Sequence, residues 1–278
     1  MDLFPWDDRI ITRISMFPGN QSTVRFFAFL GGFGLLFFML PLFAMLTQLN
    51  VADWVEQLSE SQVRKAWVLS FVTATGSTLF ALVIGFPIAW TLARCSFTGR
   101  EFVRVIVTTP MILPPVVAGL ALLQAFGQQG IVGRWLYALG MQLPFSTVGV
   151  VVAATFVAAP FLIVTLETAL SEVDPRLEEA AATLGASPFR VLWTITLPTI
   201  RPALTAGLAL SWARALGEFG ATITFAGNLS GVTQTMPLAV YEAMHENLDR
   251  AVFMSLVLLV TSFSILLVLR NRRSSKWI

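Results

Sequence analysis

The sequence predicts an all-α polytopic membrane protein of about six transmembrane helices, with one polar elbow between the fourth and the fifth. Composition is the first reason: 56% of the 278 residues are hydrophobic and 12% charged, against about 45–50% and about 25% in soluble domains. Segmentation is the second, because apolar windows of the ~20 residues needed to cross a ~30 Å hydrocarbon core recur along the whole length. The third is the stretch from Asp174 to Pro198, whose first half is too polar to lie in lipid.

A tail of residues 1–23 comes first, with Ile10, Ile14 and Phe17 at helical spacing beside Arg9 and Arg13. That pattern reads either as a short interfacial helix on an anionic leaflet or as a frayed tail. Apolar segments then run over Val24 to Leu49, Ala66 to Ala93, Val105 to Phe126, Thr147 to Leu166, Ile195 to Gly227 and Ala251 to Leu269, and a basic tail, 270–278, closes the chain. The first segment is too long for the h-region of a secretory signal and shows no small-residue cleavage site after it, so it is expected to stay as an anchor. Residues 24–269 then form the transmembrane domain.

An even number of spans puts both termini on one side. On that arrangement thirteen Lys and Arg residues fall on one side (Arg9, Arg13, Arg25, Arg94, Arg100, Arg104, Arg176, Arg190, Arg201, Arg270, Arg272, Arg273, Lys276) and five on the other (Arg64, Lys65, Arg134, Arg214, Arg250). The positive-inside rule therefore places both termini and the elbow in the cytoplasm. It also accounts for the net charge of +2, so no nucleic-acid partner is expected. The single cysteine, Cys95, and the single histidine, His245, lack the companions that a disulfide, a CxxC pair or a metal site would need.

Two apolar segments carry breaks. Pro110, Pro114 and Pro115 interrupt the helical hydrogen-bond ladder of the third, which is tolerated at depth where the backbone lines a cavity or is buried in protein. The fifth has 33 residues, about 50 Å as one helix, so Gly217 and Gly220 are its expected break. Arg214 and Glu218 lie four apart in it, placed to pair across one turn. They read either as part of a transport path or as a structural ion pair. Hydroxyls at Thr73, Thr75, Ser77 and Thr78 are expected to serve helix contacts.

The elbow reads as two short helices. Asp174 before Pro175 is a start signal, because the carboxylate accepts from free N–H groups and proline fills the first turn without losing a bond. Glu178 and Glu179 suit the positive end of that helix, and Gly185 suits a left-handed stop. Ser187 and Pro188 start the second helix. Leu177, Ala180, Ala181 and Leu184 form one apolar stripe, which must bury against the chain's own spans or against a partner.

Glu179-Ala180-Ala181, then Gly185, then Ile195 and Leu197-Pro198 together resemble the EAA loop of ABC importer permeases. The chain is identified as a member of that family, with a type I ABC importer permease fold over the transmembrane domain. The resemblance implies that the first elbow helix is a coupling helix (loop about 174–198) docking on a dimer of separate ATP-binding cassette subunits through Glu178, Glu179, Ala180, Ala181, Leu184 and Gly185. No GxxxxGK[ST] phosphate loop occurs, so this chain is expected not to be an enzyme. ATP and Mg would be used by the partner, with no cofactor or metal held here.

Three further stretches are similar to the molybdate importer permeases, with sulfate permeases as near relatives: Pro110 to Gly119, Ala213 to Thr222 and Thr235 to Tyr241. This resemblance implies an inner-membrane homodimer taking molybdate, or tungstate, from an extracytoplasmic oxyanion-binding protein. Pro114, Pro115, Arg214, Glu218 and Thr222 would then lie at the path or gate. A sulfate or thiosulfate permease is the alternative. A secondary transporter would call for an inverted repeat and a mid-membrane coupling-ion carboxylate, and a scaffold would leave the elbow motif unexplained.

Overall fold

The computed structural model describes residues 21–47, 57 and 59–274, so the tail residues Ile10, Ile14 and Phe17 and the end of the basic tail lie outside the described residues. The chain divides into two compact units, Met1–Leu49 and Asn50–Ile278. The first contains helix α1, Gln21–Thr47, apolar on all sides, with no residue of its span buried. This all-round apolarity is what lipid accepts and water does not.

The second unit is built on α2 (Ser61–Arg94) and α6 (Thr147–Glu172), which pack along each other, with α9 (Leu197–Leu216) against both. Small residues set the spacing: Ala74, Ala81, Ala89, Ala153, Ala154 and Ala158 are buried, and a Cβ on Gly85 would sit 2.9 Å from Ile163. Helices in lipid gain no hydrophobic drive toward one another, so close packing at small residues and interhelical hydrogen bonds hold them. Two of the four hydroxyls singled out on α2 serve those contacts, and the other two bond within the helix. Ser77 Oγ donates to the Val151 carbonyl (3.0 Å), Thr73 and Thr78 bond their own preceding turns, and Thr75 Oγ1 accepts from Trp212 Nε1 (3.2 Å).

Among the described residues, four helices are long and apolar enough to cross a membrane: Ser22–Thr47, Ser61–Arg94, Thr147–Glu172 and Leu248–Ile265. The last is part of α12, Leu248–Ser274. The other two apolar segments are broken, as their prolines and glycines led one to expect. The third divides into α3 (Arg100–Ile112) and α4 (Pro115–Phe126). Pro110 sits inside α3 without ending it, whereas Leu113, extended at ψ 135° before Pro114, does. The fifth begins as a π-helical turn, Leu192–Thr196, continues as α9 and resumes after residues 217–219 as α10, Gly220–Phe225.

The elbow forms α7 (Pro175–Thr183) and α8 (Pro188–Val191). Among the described residues, two helices beyond the elbow have no counterpart among the apolar segments, α5 (Gly133–Ala138) and α11 (Met236–Glu246). α11 carries Glu242, His245 and Glu246, so hydropathy hides it, and only Thr235 with Pro237 marks its start.

Candidate functional site

The elbow is assembled by local chemistry. The Asp174 carboxylate accepts from the Arg176 N–H at 3.0 Å and so caps α7. At the other end Gly185 adopts φ +82°. Around it the Ala186 N–H reaches the Ala181 carbonyl (3.0 Å) and the Gly185 N–H the Ala182 carbonyl (2.9 Å), the paired closure that a left-handed residue makes possible. Ser187 then caps α8 by accepting from the Arg190 N–H. In the turn that follows, the Leu197 N–H bonds the carbonyl of Leu192, five residues back. Pro198 has no N–H to continue the ordinary ladder, so the shifted register sits next to a position that cannot donate.

None of the residues of α7 is buried. Leu184 is 88% exposed, and Leu177 and Ala180 are exposed with it, while Ala181 is half-buried. Phe189 and Trp193 extend this apolar surface, exposed and edge-to-face at 5.9 Å. The two glutamates of α7 divide. Glu179 is exposed. Glu178 turns inward, its Oε1 accepting from Arg94 Nη2 (2.9 Å) at the end of α2 and from the Thr196 hydroxyl (2.7 Å). A second ion pair at the same end joins Arg104 of α3 to Glu167 of α6 (2.5 Å). Arg104 also bonds exposed Glu101, which holds that carboxyl below the usual range.

Away from the elbow, the two broken segments meet. A Cβ on Gly220 would lie 2.4 Å from the Cβ of Pro115, and one on Gly119 2.9 Å from the Ala221 carbonyl and 2.6 Å from Thr224. α4 and α10 therefore run with their backbones nearly in contact, over a core of Ala118, Leu122, Ala221 and Phe225. At the break, Glu218 is 2% exposed and lies 2.6 Å from Arg214 Nη1. Its other oxygen accepts from the Ala221 N–H at 2.9 Å, in the first turn of α10, where a carboxylate meets unpaired N–H groups. The Thr222 hydroxyl is buried without a hydrogen-bond partner. Pro114 and Pro115 remain exposed at this seam. A groove of about 460 Å³ between α2 and α12, lined by Val63, Trp67, Val257 and Val260 among others, is apolar and includes none of these residues.

Residues 81–276 match the family described as binding-protein-dependent transport system inner membrane component. The chain belongs to this family. It is a multi-pass permease of the inner membrane, a non-catalytic subunit. The permease is 41% identical to the molybdenum transport system permease protein ModB of Mycobacterium tuberculosis, over 84% of this chain and 89% of that one. It is 43% identical to the Escherichia coli ModB over 64% of this chain and 78% of that one. To the sulfate transport system permease protein CysT of Escherichia coli it is 36% identical, over 76% and 77%. Its fold resembles that of a bacterial ABC transporter involved in the import of alginate, with a TM-score of 0.71 at 17% identity over 98% of this chain and 97% of that one. The same fold occurs in that transporter's complex with an alginate-bound periplasmic protein, at a TM-score of 0.71, 18% identity and coverage of 97% and 96%.

In this permease, Pro115 and Gly220 are brought together, as are Arg214 and Glu218, while the elbow residues form a separate region. Arg94, Thr196, Phe189 and Trp193 are absent from the sequence-derived set. The aromatic pair carries a signal, two large rings four apart in a polar elbow. Arg94 carries none, because it meets Glu178 across 84 positions. His245 stacks edge-on to Tyr241 at 5.1 Å, an aromatic contact.

Proposed function

We infer that this permease is the membrane subunit of an ATP-driven molybdate importer, with a sulfate importer as the second reading. The observation that carries the importer reading is α7: a short helix fixed at both ends, with the full EAA spacing and an apolar stripe facing out. Burying a residue such as Leu184 or Phe189 is worth about 1.5–3 kcal/mol, and an ATPase dimer is the partner that would bury them. Glu179, Ala180, Ala181, Leu184 and Gly185 belong to that docking surface, and Glu178 ties it to the bundle. Molybdate is favoured by the greater identity to the ModB proteins, 41% and 43%, than to CysT, 36%.

In this reading the elbow end is cytoplasmic, as are the tails 1–23 and 270–278, residues 24–269 form the transmembrane domain, and the anion path lies at the subunit interface of a homodimer. ATP and Mg are used by the partner ATPase. An extracytoplasmic oxyanion-binding protein delivers the anion at the opposite end. Closure of the ATPase dimer moves the elbows and, with them, the spans as near-rigid bodies. Pro114, Pro115, Arg214, Glu218 and Thr222 lie at the discontinuous segments, the places where transport paths in membrane proteins commonly run. Arg214, 29% exposed at its side chain, is the member able to meet an anion, and Glu218 supports it from inside the chain.

Molybdate uptake in cells lacking this chain, and again with it restored, at low external molybdate and with excess sulfate as competitor, tests the assignment. Uptake that needs the chain and withstands sulfate is expected. Uptake abolished by sulfate would select the second reading, and uptake indifferent to the chain would reject both.

A further inference from the structure

Nothing in the packing of α7 explains how its movement would reach the far side of the molecule. No residue of α7 is buried, so it cannot drag the bundle by its apolar stripe. Its two covalent connections both cross non-helical joints: extended Val173 and Asp174 towards α6, and the left-handed Gly185 turn towards α8. What joins it firmly to a long helix is the Glu178 carboxylate. One oxygen receives both the Arg94 guanidinium (2.9 Å) and the Thr196 hydroxyl (2.7 Å). The side chains of Arg94 and Glu178 are only 16% and 21% exposed, so the pair is poorly screened compared with a surface salt bridge. Arg94 also reaches the Val173 carbonyl at 3.4 Å, gripping the chain on both sides of the start of α7.

Arg94 is the last residue of α2, a helix of 34 residues and so about 51 Å long. At the far end of that rod polar contacts surround an apolar cluster that includes Val63, Ala66, Met236 and Ala239. Ser70 Oγ accepts from the N–H of Met236, the first residue of α11, at 2.7 Å. Gln62 donates to Gln234 (3.2 Å) and accepts from Arg250 (3.0 Å), and Arg250 pairs with Glu60 at 2.6 Å. Gln234 and Asn228 both donate to Glu242 of α11. α2 thus holds the elbow with one end and the 228–235 segment and α11 with the other.

We propose that Arg94 and Glu178, completed by Thr196, are positioning residues that pass movement of α7 into α2, and through α2 to the segment before α11. This rests on the reading of α7 as the ATPase-docking helix. It separates two neighbouring glutamates: Glu179 belongs to the docking surface, and Glu178 belongs to the linkage. Since α2 and α7 are joined here by an ion pair, the linkage depends on complementary charge and can be rebuilt with the charges exchanged.

The test uses the complete importer, with its own ATPase and binding protein, in proteoliposomes. Arg94→Ala and Glu178→Ala are expected to keep the ATPase subunit on co-purification yet lose uptake by about fivefold or more, the lower range of coupling between sites. Glu178→Gln, which keeps an acceptor for Thr196 and loses the charge, should fall between. The exchange Arg94→Glu with Glu178→Arg should recover uptake above either half made alone. Unchanged uptake in both alanine variants, or an exchange no better than its worse half, would overturn the proposal. If a single variant fails to assemble, the exchange still decides, since restored assembly and uptake support the pair and their absence overturns it. Leu184→Asp runs alongside: loss of the ATPase there with the Arg94 and Glu178 variants unaffected rejects the linkage alone, whereas an unaffected Leu184→Asp rejects the docking reading beneath it.

Discussion

The elbow and the seam between α4 and α10 are held in opposite ways. α7 buries no side chain and is kept in place by one side-chain cap, a left-handed glycine and one inward carboxylate. The seam is held by contact. Ala118, Ala221 and Phe225 are fully buried, and glycines face Pro115 and the Ala221 carbonyl where no methyl fits. A surface meant for a partner has to keep its apolar stripe free, so polar bonds at its edges do the holding. A broken helix in lipid has to hide its backbone, so the two breaks are placed against each other.

The largest effect that would break this contrast belongs to Arg214→Ala. It leaves Glu218, 2% exposed, without its cation, and removing one partner of a buried pair costs about 3–5 kcal/mol. Thermal unfolding of the purified permease should show a marked fall in Tm; an unchanged Tm would mean that the carboxylate is not held by this pair. Gly220→Val comes next, because its Cβ would stand 2.4 Å from that of Pro115 and overpacking costs about 1–3 kcal/mol. The same measurement serves, with tolerance of valine counting against the close seam.

Changes at the elbow should be smaller and local. Gly185→Ala meets no neighbouring atom within 4 Å, so its penalty is the left-handed backbone alone, about 1–2 kcal/mol. It should appear as faster amide exchange in α7 with little change in the global Tm. Asp174→Ala removes one cap, about 1 kcal/mol, whereas Asp174→Asn should exchange like the unmodified chain. Equal exchange in the alanine and asparagine variants would show that the cap does not hold α7.

The elbow was the most legible part of the sequence, because capping is local: Asp174, Gly185 and Ser187 announce it within fourteen positions. The breaks were legible in kind, through Pro114 and Gly217, but not in their meeting, since nothing local tells Pro115 that it will lie on Gly220. α11 was hidden because Glu242 and its neighbours make it too polar for a hydropathy signal, although their carboxylate is answered by Gln234 and Asn228. Arg94 looked like one more cytoplasmic cation. Its partner, Glu178, comes 84 positions later, and only the packing of α2 along α6 brings the two together.

In the importer reading, this chain passes molybdate across a membrane under the power of a separate ATPase acting on the elbow. Proteoliposomes holding the permease and its ATPase, with ATP on the elbow side and loaded binding protein on the other, test it most directly through accumulated molybdate. Accumulation is expected to require ATP, the binding protein and an intact Leu184 surface. Accumulation without ATP, or unaffected by Leu184→Asp, would contradict it.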